Sequence, residues 1–103
     1  MSKPVIEIEV EIRNAEGLHM RPAMQFVDLA SRFVSAVTVE HNELSADAKS
    51  IMQMTMLAAT CGTRLKIRAE GPDASEAVAA LKELVEQKFP QQAAEAAEPK
   101  KEG

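Results

Sequence analysis

Two segments of the chain alternate strictly between apolar and polar residues, which is the pattern of a strand with one buried face. In residues 5–12 the apolar positions are Ile6, Ile8, Val10 and Ile12. In residues 64–70 they are Leu65, Ile67 and Ala69. Residues 36–40 predict a further strand, and residues 44–47 predict a short edge strand that pairs back after a tight turn at residues 41–43. We therefore expect four strands.

Three other segments repeat apolar residues every three or four positions, which indicates helices that bury one stripe. The first runs from about Met20 to Phe33. Pro22 lies in its first turn, where the missing N–H costs little and the fixed φ already suits a helix. The second helix follows Ser50 and ends before Gly62.

The second helix is short, and we expect three of its side chains to lie in the core at least in part: Met54, Met56 and Leu57. The third helix begins after Asp73, which stands three residues before Glu76, the spacing of a capping box. Pro90 is expected to end this helix, because proline cannot continue the hydrogen-bond pattern. Residues 90–103 contain few large apolar residues, so we expect a disordered or frayed tail.

The predicted order of elements is β-α-β-β-α-β-α. Every strand has one apolar face and every main helix has one apolar stripe. The economical arrangement is therefore an α+β open-faced sandwich, in which three helices cover one face of a four-stranded, largely antiparallel sheet and water covers the other. We expect residues 1–89 to form one domain around a single small core.

Composition excludes several classes of function. The 103 residues carry a formal net charge of −4 and only three aromatic side chains, all Phe, which argues against nucleic-acid binding. The single cysteine, Cys61, excludes an internal disulfide and is typical of a reducing cytoplasm. The chain shows no zinc-ligand spacing, no membrane-length apolar run and no signal-peptide pattern. We expect a cytoplasmic protein without a metal or membrane insertion, and we expect the second histidine, His41, on the surface.

The segment GLHMRPA, residues 17–23, places a histidine at the start of the first helix. The first turn of a helix offers backbone N–H groups without intrahelical acceptors and a partial positive charge, so it binds anions. The imidazole of His19 is a nucleophile, Arg21 brings a guanidinium that can reach a phosphoryl group, and Gly17 permits a sharp turn or close approach. The pattern indicates a phosphoryl acceptor. The alternative is that His19 is a capping or surface residue and that Arg21 is merely solvated.

GLHMRPA and the AMQFV that extends it resemble the active-site segment of the HPr family, the histidine-containing phosphocarriers of the bacterial sugar phosphotransferase system. A second block, KSIM at residues 49–52, resembles another family segment at the family's spacing, and the Gly62 loop and the Glu70-Gly71 strand end match as well. The resemblance covers about residues 4–89. It implies a sandwich of four strands and three helices, in agreement with the order derived above.

The resemblance implies phosphorylation of His19 on ring Nδ1 and a phosphate contact from Arg21, which we expect to be exposed. It also implies a stoichiometric carrier rather than an enzyme, with no cofactor, that accepts phosphate from enzyme I and passes it to a sugar-specific enzyme IIA. We expect a monomer. Met20 departs from the family, where Ala or Thr is usual, and with Ile51 and Met52 it predicts an exposed apolar patch for partner docking.

Ser50 supports two interpretations that are compatible. A serine before an apolar run is an N-cap, and the resemblance implies a site for HPr kinase/phosphorylase. A phosphate there would add charge that repels acidic partners from the His19 side. The alternative function is a regulatory module in which phosphorylated Ser50 controls binding to a transcription regulator or a kinase. The intact His19–Arg21 pair favours the carrier, and no motif supports a third reading as a metabolite-binding domain.

Overall fold

Four strands and three helices succeed one another along residues 4–90, the part of the chain that the computed structural model describes. In chain order they are β1 (Val5–Glu11), α1 (Met20–Ala30), β2 (Ala36–His41), β3 (Leu44–Asp47), α2 (Ile51–Met56), β4 (Arg64–Glu70) and α3 (Ala74–Glu86). The predicted order is confirmed. No helix within these residues is long and apolar enough to cross a membrane.

The strands form one antiparallel sheet in the order β1-β4-β2-β3. On the inner face, Ile67 of β4 pairs with Ile8 of β1 and with Val39 of β2. On the outer face, charged side chains pair across strands, and Arg68 Nε lies 3.6 Å from Glu7 Oε2. This alternation explains why helices cover one face and water the other, as the sequence predicts.

The hairpin between β2 and β3 is tighter than expected. His41 pairs with Leu44 as the last residue of β2, so only Asn42 and Glu43 form the turn. Both turn residues have positive φ, at 51° and 68°, which a two-residue hairpin of this twist requires. His41 is therefore a partly exposed strand residue rather than a turn residue.

The core lies between the inner face of the sheet and the three helices. Its largest fully buried side chains include Phe26, Phe89, Ile12, Met54, Leu65, Ile67 and Leu81. Met54 and Leu57 are buried as predicted, but Met56 is 70% exposed, so its predicted place in the core is wrong. The reason is geometric: α2 has six residues, and Met56 lies about 200° around the helix from the buried Met54.

All three helices end earlier than the sequence predicts, and α2 ends at Met56 although its apolar segment continues to Ala59. α1 ends at Ala30 rather than Phe33, and the chain continues in a turn in which Phe33 N donates to Ala30 O at 3.2 Å. α3 ends at Glu86, so Pro90 does not end it. Pro90 is the last described residue, so the rest of the predicted tail lies outside the described part of the chain. The disordered tail and the domain boundary at residue 89 both stay predictions.

The start of α3 departs from the predicted capping box. Asp73 is the N-cap residue, but its side chain makes no cap hydrogen bond. Its carboxylate instead accepts bonds from Ser35 Oγ, from Ser35 N at 2.8 Å and from Val34 N at 2.9 Å. These bonds lower the pKa of Asp73 below its ordinary value, and the bond from the Ser35 hydroxyl has the largest effect. Asp73 therefore joins the start of α3 to the segment before β2.

Candidate functional site

His19 is the N-cap residue of α1. Its backbone is extended, with φ −72° and ψ −175°, and its carbonyl accepts the first helical bond from Ala23 N at 2.9 Å. The imidazole makes no cap bond and is exposed. The N–H groups of Met20 and Arg21 belong to the first turn and have no intrahelical acceptor by position, and Pro22 has no N–H. An anion beside His19 would therefore meet two backbone donors at the positive end of α1.

The loop before His19 is fixed to the segment that follows α2. Leu18 N donates to Ala59 O at 2.9 Å. Gly17 has φ +69°, and a Cβ at this position would lie 2.5 Å from Ala59 O. Only glycine meets both demands, so the predicted need for a turn and a close approach at Gly17 is confirmed.

An open depression of about 620 Å³ lies between the start of α1 and the end of α2. Its lining residues are Leu18, His19, Met20, Thr55, Ala58, Ala59 and Thr60. His19 thus stands at a concave, accessible surface, where a reacting group on a partner protein can approach the imidazole.

Arg21 is more closely held than the sequence predicts. Its Nη2 donates to Glu16 Oε1 at 2.7 Å, and its Nη1 donates to Phe89 O at 3.0 Å and to Gln25 Oε1 at 3.3 Å. Its side chain is 35% exposed. Arg21 is therefore partly rather than fully exposed, because residues 5 and 68 positions away supply acceptors. Sequence reasoning missed Glu16, since a lone glutamate in a loop resembles any solvated surface residue.

Ser50 is the N-cap residue of α2, as predicted. Its Oγ accepts a bond from Gln53 N at 3.3 Å, and the residue is partly exposed. The depression beside His19 is lined by residues from Thr55 onward, at the other end of α2. Ser50 therefore does not line the depression, because it lies at the opposite end of α2.

The predicted exposure of the apolar patch is partly confirmed, whereas its role in docking stays a prediction. Met20 is 60% and Met52 71% exposed, but Ile51 packs against the core and is only partly exposed. Met24 and Met56, each one helical turn from a patch residue, are also exposed. We refer to the four exposed methionines of α1 and α2, Met20, Met24, Met52 and Met56, as the methionine surface.

Metal chemistry finds no support within residues 4–90, where no three His, Cys, Asp or Glu side chains are grouped so that they could hold a metal ion. Cys61 is an exposed residue of the loop after α2, with its Sγ 3.7 Å from Arg13 O. The polar side chains that line the depression are those of His19, Thr55 and Thr60, and Arg21 is not among its lining residues.

Known proteins resemble this chain in both sequence and fold. The family model described as the PTS HPr component phosphorylation site matches residues 6–87. The phosphocarrier protein HPr of Vibrio cholerae is 47% identical over 81 residues, covering 79% of this chain and 95% of the relative. The crystal structure of an HPr from Thermoanaerobacter tengcongensis has a TM-score of 0.80 and 45% identity, and covers 82% of this chain and 94% of that chain.

A crystal structure of an HPr dimer from the same Thermoanaerobacter species matches with a TM-score of 0.68 and 45% identity, covering 80% of this chain and 94% of that one. The family match runs from the second residue of β1 to just past the end of α3 and includes the GLHMRPA segment at the start of α1. The chain belongs to the HPr family of phosphocarrier proteins of the phosphotransferase system.

Proposed function

We propose that this protein carries a phosphoryl group on His19, accepts it from phosphorylated enzyme I and delivers it to a sugar-specific enzyme IIA. The observation that carries this proposal is the position of His19, an exposed N-cap at the positive end of α1 beside an open depression. The protein is a stoichiometric intermediate that takes one phosphoryl group and gives it away, so it needs no cofactor. We also infer a cytoplasmic location, since a single free thiol is typical of that compartment.

The proposed transfer forms one bond and breaks one. A neutral ring nitrogen of His19, Nδ1 by family resemblance, attacks the phosphorus of the phosphohistidine on enzyme I. The donor's N–P bond breaks, and its electron pair returns to the donor imidazole. The transferred oxygens gain charge stabilisation from the first-turn N–H groups of α1, and Arg21 is the nearby cation that follows in sequence.

The methionine surface is suited to docking more than one partner. Methionine side chains are unbranched and polarisable, so they adapt to differently shaped apolar surfaces. Met20 lies directly beside His19 and lines the depression. We infer that Met20 and Met52 contact enzyme I and enzyme IIA in turn, with Ile51 supporting them from its partly buried position.

The experiment that tests the carrier function uses enzyme I and labelled phosphoenolpyruvate. The protein should gain a phosphate that is labile in acid and stable in alkali, as phosphohistidine is. His19→Ala should abolish the label. His41→Ala, which removes the other histidine at the far end of β2, is the matched control and should label normally. Equal labelling of His19→Ala would contradict the proposal.

Regulation through Ser50 is a second proposal, supported by the position of this partly exposed serine at the start of α2. A phosphate at a helix N-terminus is electrostatically tolerated, so the added charge would act on partners rather than unfold the chain. HPr kinase/phosphorylase with ATP should place an acid-stable phosphate on Ser50, and binding to a transcription regulator would then depend on it. Mass spectrometry that finds the phosphate on Ser45 or Thr55 would overturn this assignment.

We also propose that the carrier acts as a monomer. The dimeric Thermoanaerobacter relative makes the oligomeric state worth measuring. Light scattering on the purified protein should give the mass of one chain, 11.2 kDa. A stable mass of two chains would replace the monomer with a dimer.

A further inference from the structure

Glu16 forms an ion pair with the guanidinium of Arg21, the group that the proposed function assigns to the phosphoryl group. Glu16 Oε1 lies 2.7 Å from Arg21 Nη2, the shortest of the three bonds that Arg21 makes. The Glu16 side chain is 44% exposed and the Arg21 side chain 35% exposed, so solvent and a partner protein can reach this pair. The two residues flank His19 in the sequence, with Glu16 three residues before it and Arg21 two residues after it.

The three acceptors around Arg21 differ in charge. Three of its five N–H groups are engaged, two by the neutral oxygens of Phe89 and Gln25 and one by the Glu16 carboxylate. A dianionic phosphoryl group on His19 would not be repelled by the two neutral oxygens. It would be repelled by the carboxylate, and it would compete with that carboxylate for the same cation. Glu16 is therefore the one contact of Arg21 that opposes phosphorylation.

Two hydrogen bonds between Asn14 and Gly17 close the turn that carries Glu16. Gly17 N donates to Asn14 O at 3.1 Å, and the buried Asn14 side chain donates through Nδ2 to Gly17 O at 2.9 Å. The same Nδ2 lies 3.3 Å from Glu16 Oε1. The Glu16 carboxylate thus accepts from two donors, Asn14 Nδ2 and Arg21 Nη2.

We propose that Glu16 is a resident anion that holds Arg21 in the unphosphorylated protein and is displaced when His19 is phosphorylated. This inference rests on the carrier function proposed above. Phosphorylation then costs the Glu16–Arg21 ion pair, and this cost raises the free energy of the phosphorylated form. Glu16 thereby keeps the phosphoryl group easy to pass on, and it acts as a positioning residue through Arg21 rather than on the reacting atoms.

The test compares the phosphoryl-transfer potentials of two proteins directly. Phosphorylated wild-type protein, labelled with ¹⁵N, is mixed with an equal amount of unphosphorylated Glu16→Gln and a catalytic trace of enzyme I. Mass spectrometry then gives the share of phosphate on each protein at equilibrium. We expect the phosphate to favour Glu16→Gln by roughly two- to fivefold, the effect of one partly exposed ion pair.

Two controls isolate the mechanism. Glu43→Gln removes the same charge at the β2–β3 turn and should leave the ratio near one. In an Arg21→Ala background the effect of Glu16→Gln should shrink, because the competition has no cation left and only the direct charge repulsion remains. A ratio of one, a preference for wild type, or an undiminished effect without Arg21 would overturn the inference.

A further arm separates this inference from the carrier function. Phosphoramidate phosphorylates histidine chemically, so both proteins can be loaded in one mixture without enzyme I, and the relative extent of loading at equilibrium gives the same ratio. A preference for Glu16→Gln there supports the role of Glu16 even where enzyme I transfers nothing. Equal loading contradicts that role even where enzyme I phosphorylates His19 normally.

Discussion

Arg21 connects the candidate site to distant parts of the chain. Its guanidinium joins the start of α1 to the turn that carries Glu16 and to the carbonyl of Phe89 after α3. Phe89 is itself buried in the core. A residue that the resemblance assigns to phosphate contact therefore also contributes to the packing of the chain's last described segment, and the two roles can be measured separately.

Arg21→Ala should lower the free energy of unfolding and slow phosphoryl transfer. The lost bonds are partly exposed, so we expect a cost of about 1 kcal/mol, or a fall in Tm of about 4–8 °C. Transfer from enzyme I by the folded protein should slow at least about tenfold, since a charge-assisted contact to the moving phosphoryl group is lost. Thermal melts and single-turnover transfer rates measure the two effects.

Two matched variants serve as controls for the effects of Arg21→Ala. Arg32→Ala removes an exposed guanidinium that pairs with Asp28 at the opposite end of α1, and it should change neither quantity appreciably. Arg21→Lys should restore transfer only in part, because lysine keeps the charge but lacks the planar fork. If Arg21→Ala melts earlier while its folded fraction transfers at the wild-type rate, Arg21 is structural and its assignment to the phosphate is wrong.

At the scale of elements, the C-terminus of α3 ends in a capping motif that usually contains glycine but here contains none. Lys88 N donates to Val85 O at 2.9 Å and Phe89 N donates to Leu84 O at 3.1 Å, the pair of bonds of a Schellman motif. Lys88 occupies the position after the cap that glycine usually takes, with φ +65°. The motif turns Phe89 back into the core and brings its carbonyl to Arg21.

Lys88→Gly should therefore stabilise the protein. A left-handed backbone costs a residue with a side chain roughly 1–2 kcal/mol, and the greater freedom of glycine in the unfolded chain offsets part of that gain. We expect a net increase of about 0.5–1 kcal/mol in the free energy of unfolding, measured by urea denaturation. Lys88→Ala keeps the left-handed strain and should show no such gain. A loss of stability in Lys88→Gly would show that the lysine side chain, not the backbone, matters here.

At the scale of the whole molecule, one carboxylate joins segments 38 positions apart. Asp73 accepts from Val34 and Ser35, and Ser35 Oγ accepts in return from Asp73 N at 3.1 Å. Gly71 makes this approach possible, since a Cβ there would lie 2.7 Å from Ser35 Cα. The start of α3 and the start of β2 are therefore held together by a single polar cluster.

This cluster predicts a pH dependence of stability. The pKa of Asp73 is lowered in the folded protein, chiefly by the Ser35 hydroxyl, so folding favours the ionised form. Its contribution is then fully present above the ordinary aspartate pKa and is lost as the pH falls through the lower folded pKa. Urea denaturation across this acid range should show the stability difference between wild type and Asp73→Asn shrinking as the pH falls. Ser35→Ala should reduce the same pH-dependent difference, and a difference that stays constant would contradict the assignment.

The sequence alone determined the elements and the local site. Alternation fixes which face of a strand is apolar, and helical spacing fixes the stripe of a helix, because both depend only on neighbours within a few positions. For the same reason GLHMRPA predicts an N-cap histidine with a cation in the first turn, and Ser50 predicts an N-cap. All of these features are local, and the structure shows each of them.

Only the tertiary structure decided which side chains meet across long separations. The carbonyl that binds Arg21 lies 68 positions away, and the donors that draw Asp73 out of its capping role lie 38 and 39 positions away. The outward face of Met56 likewise depends on how the short α2 rests on its neighbours. Spacing in the sequence carries no information about such partners, because they become neighbours only when the sheet order β1-β4-β2-β3 closes the chain on itself.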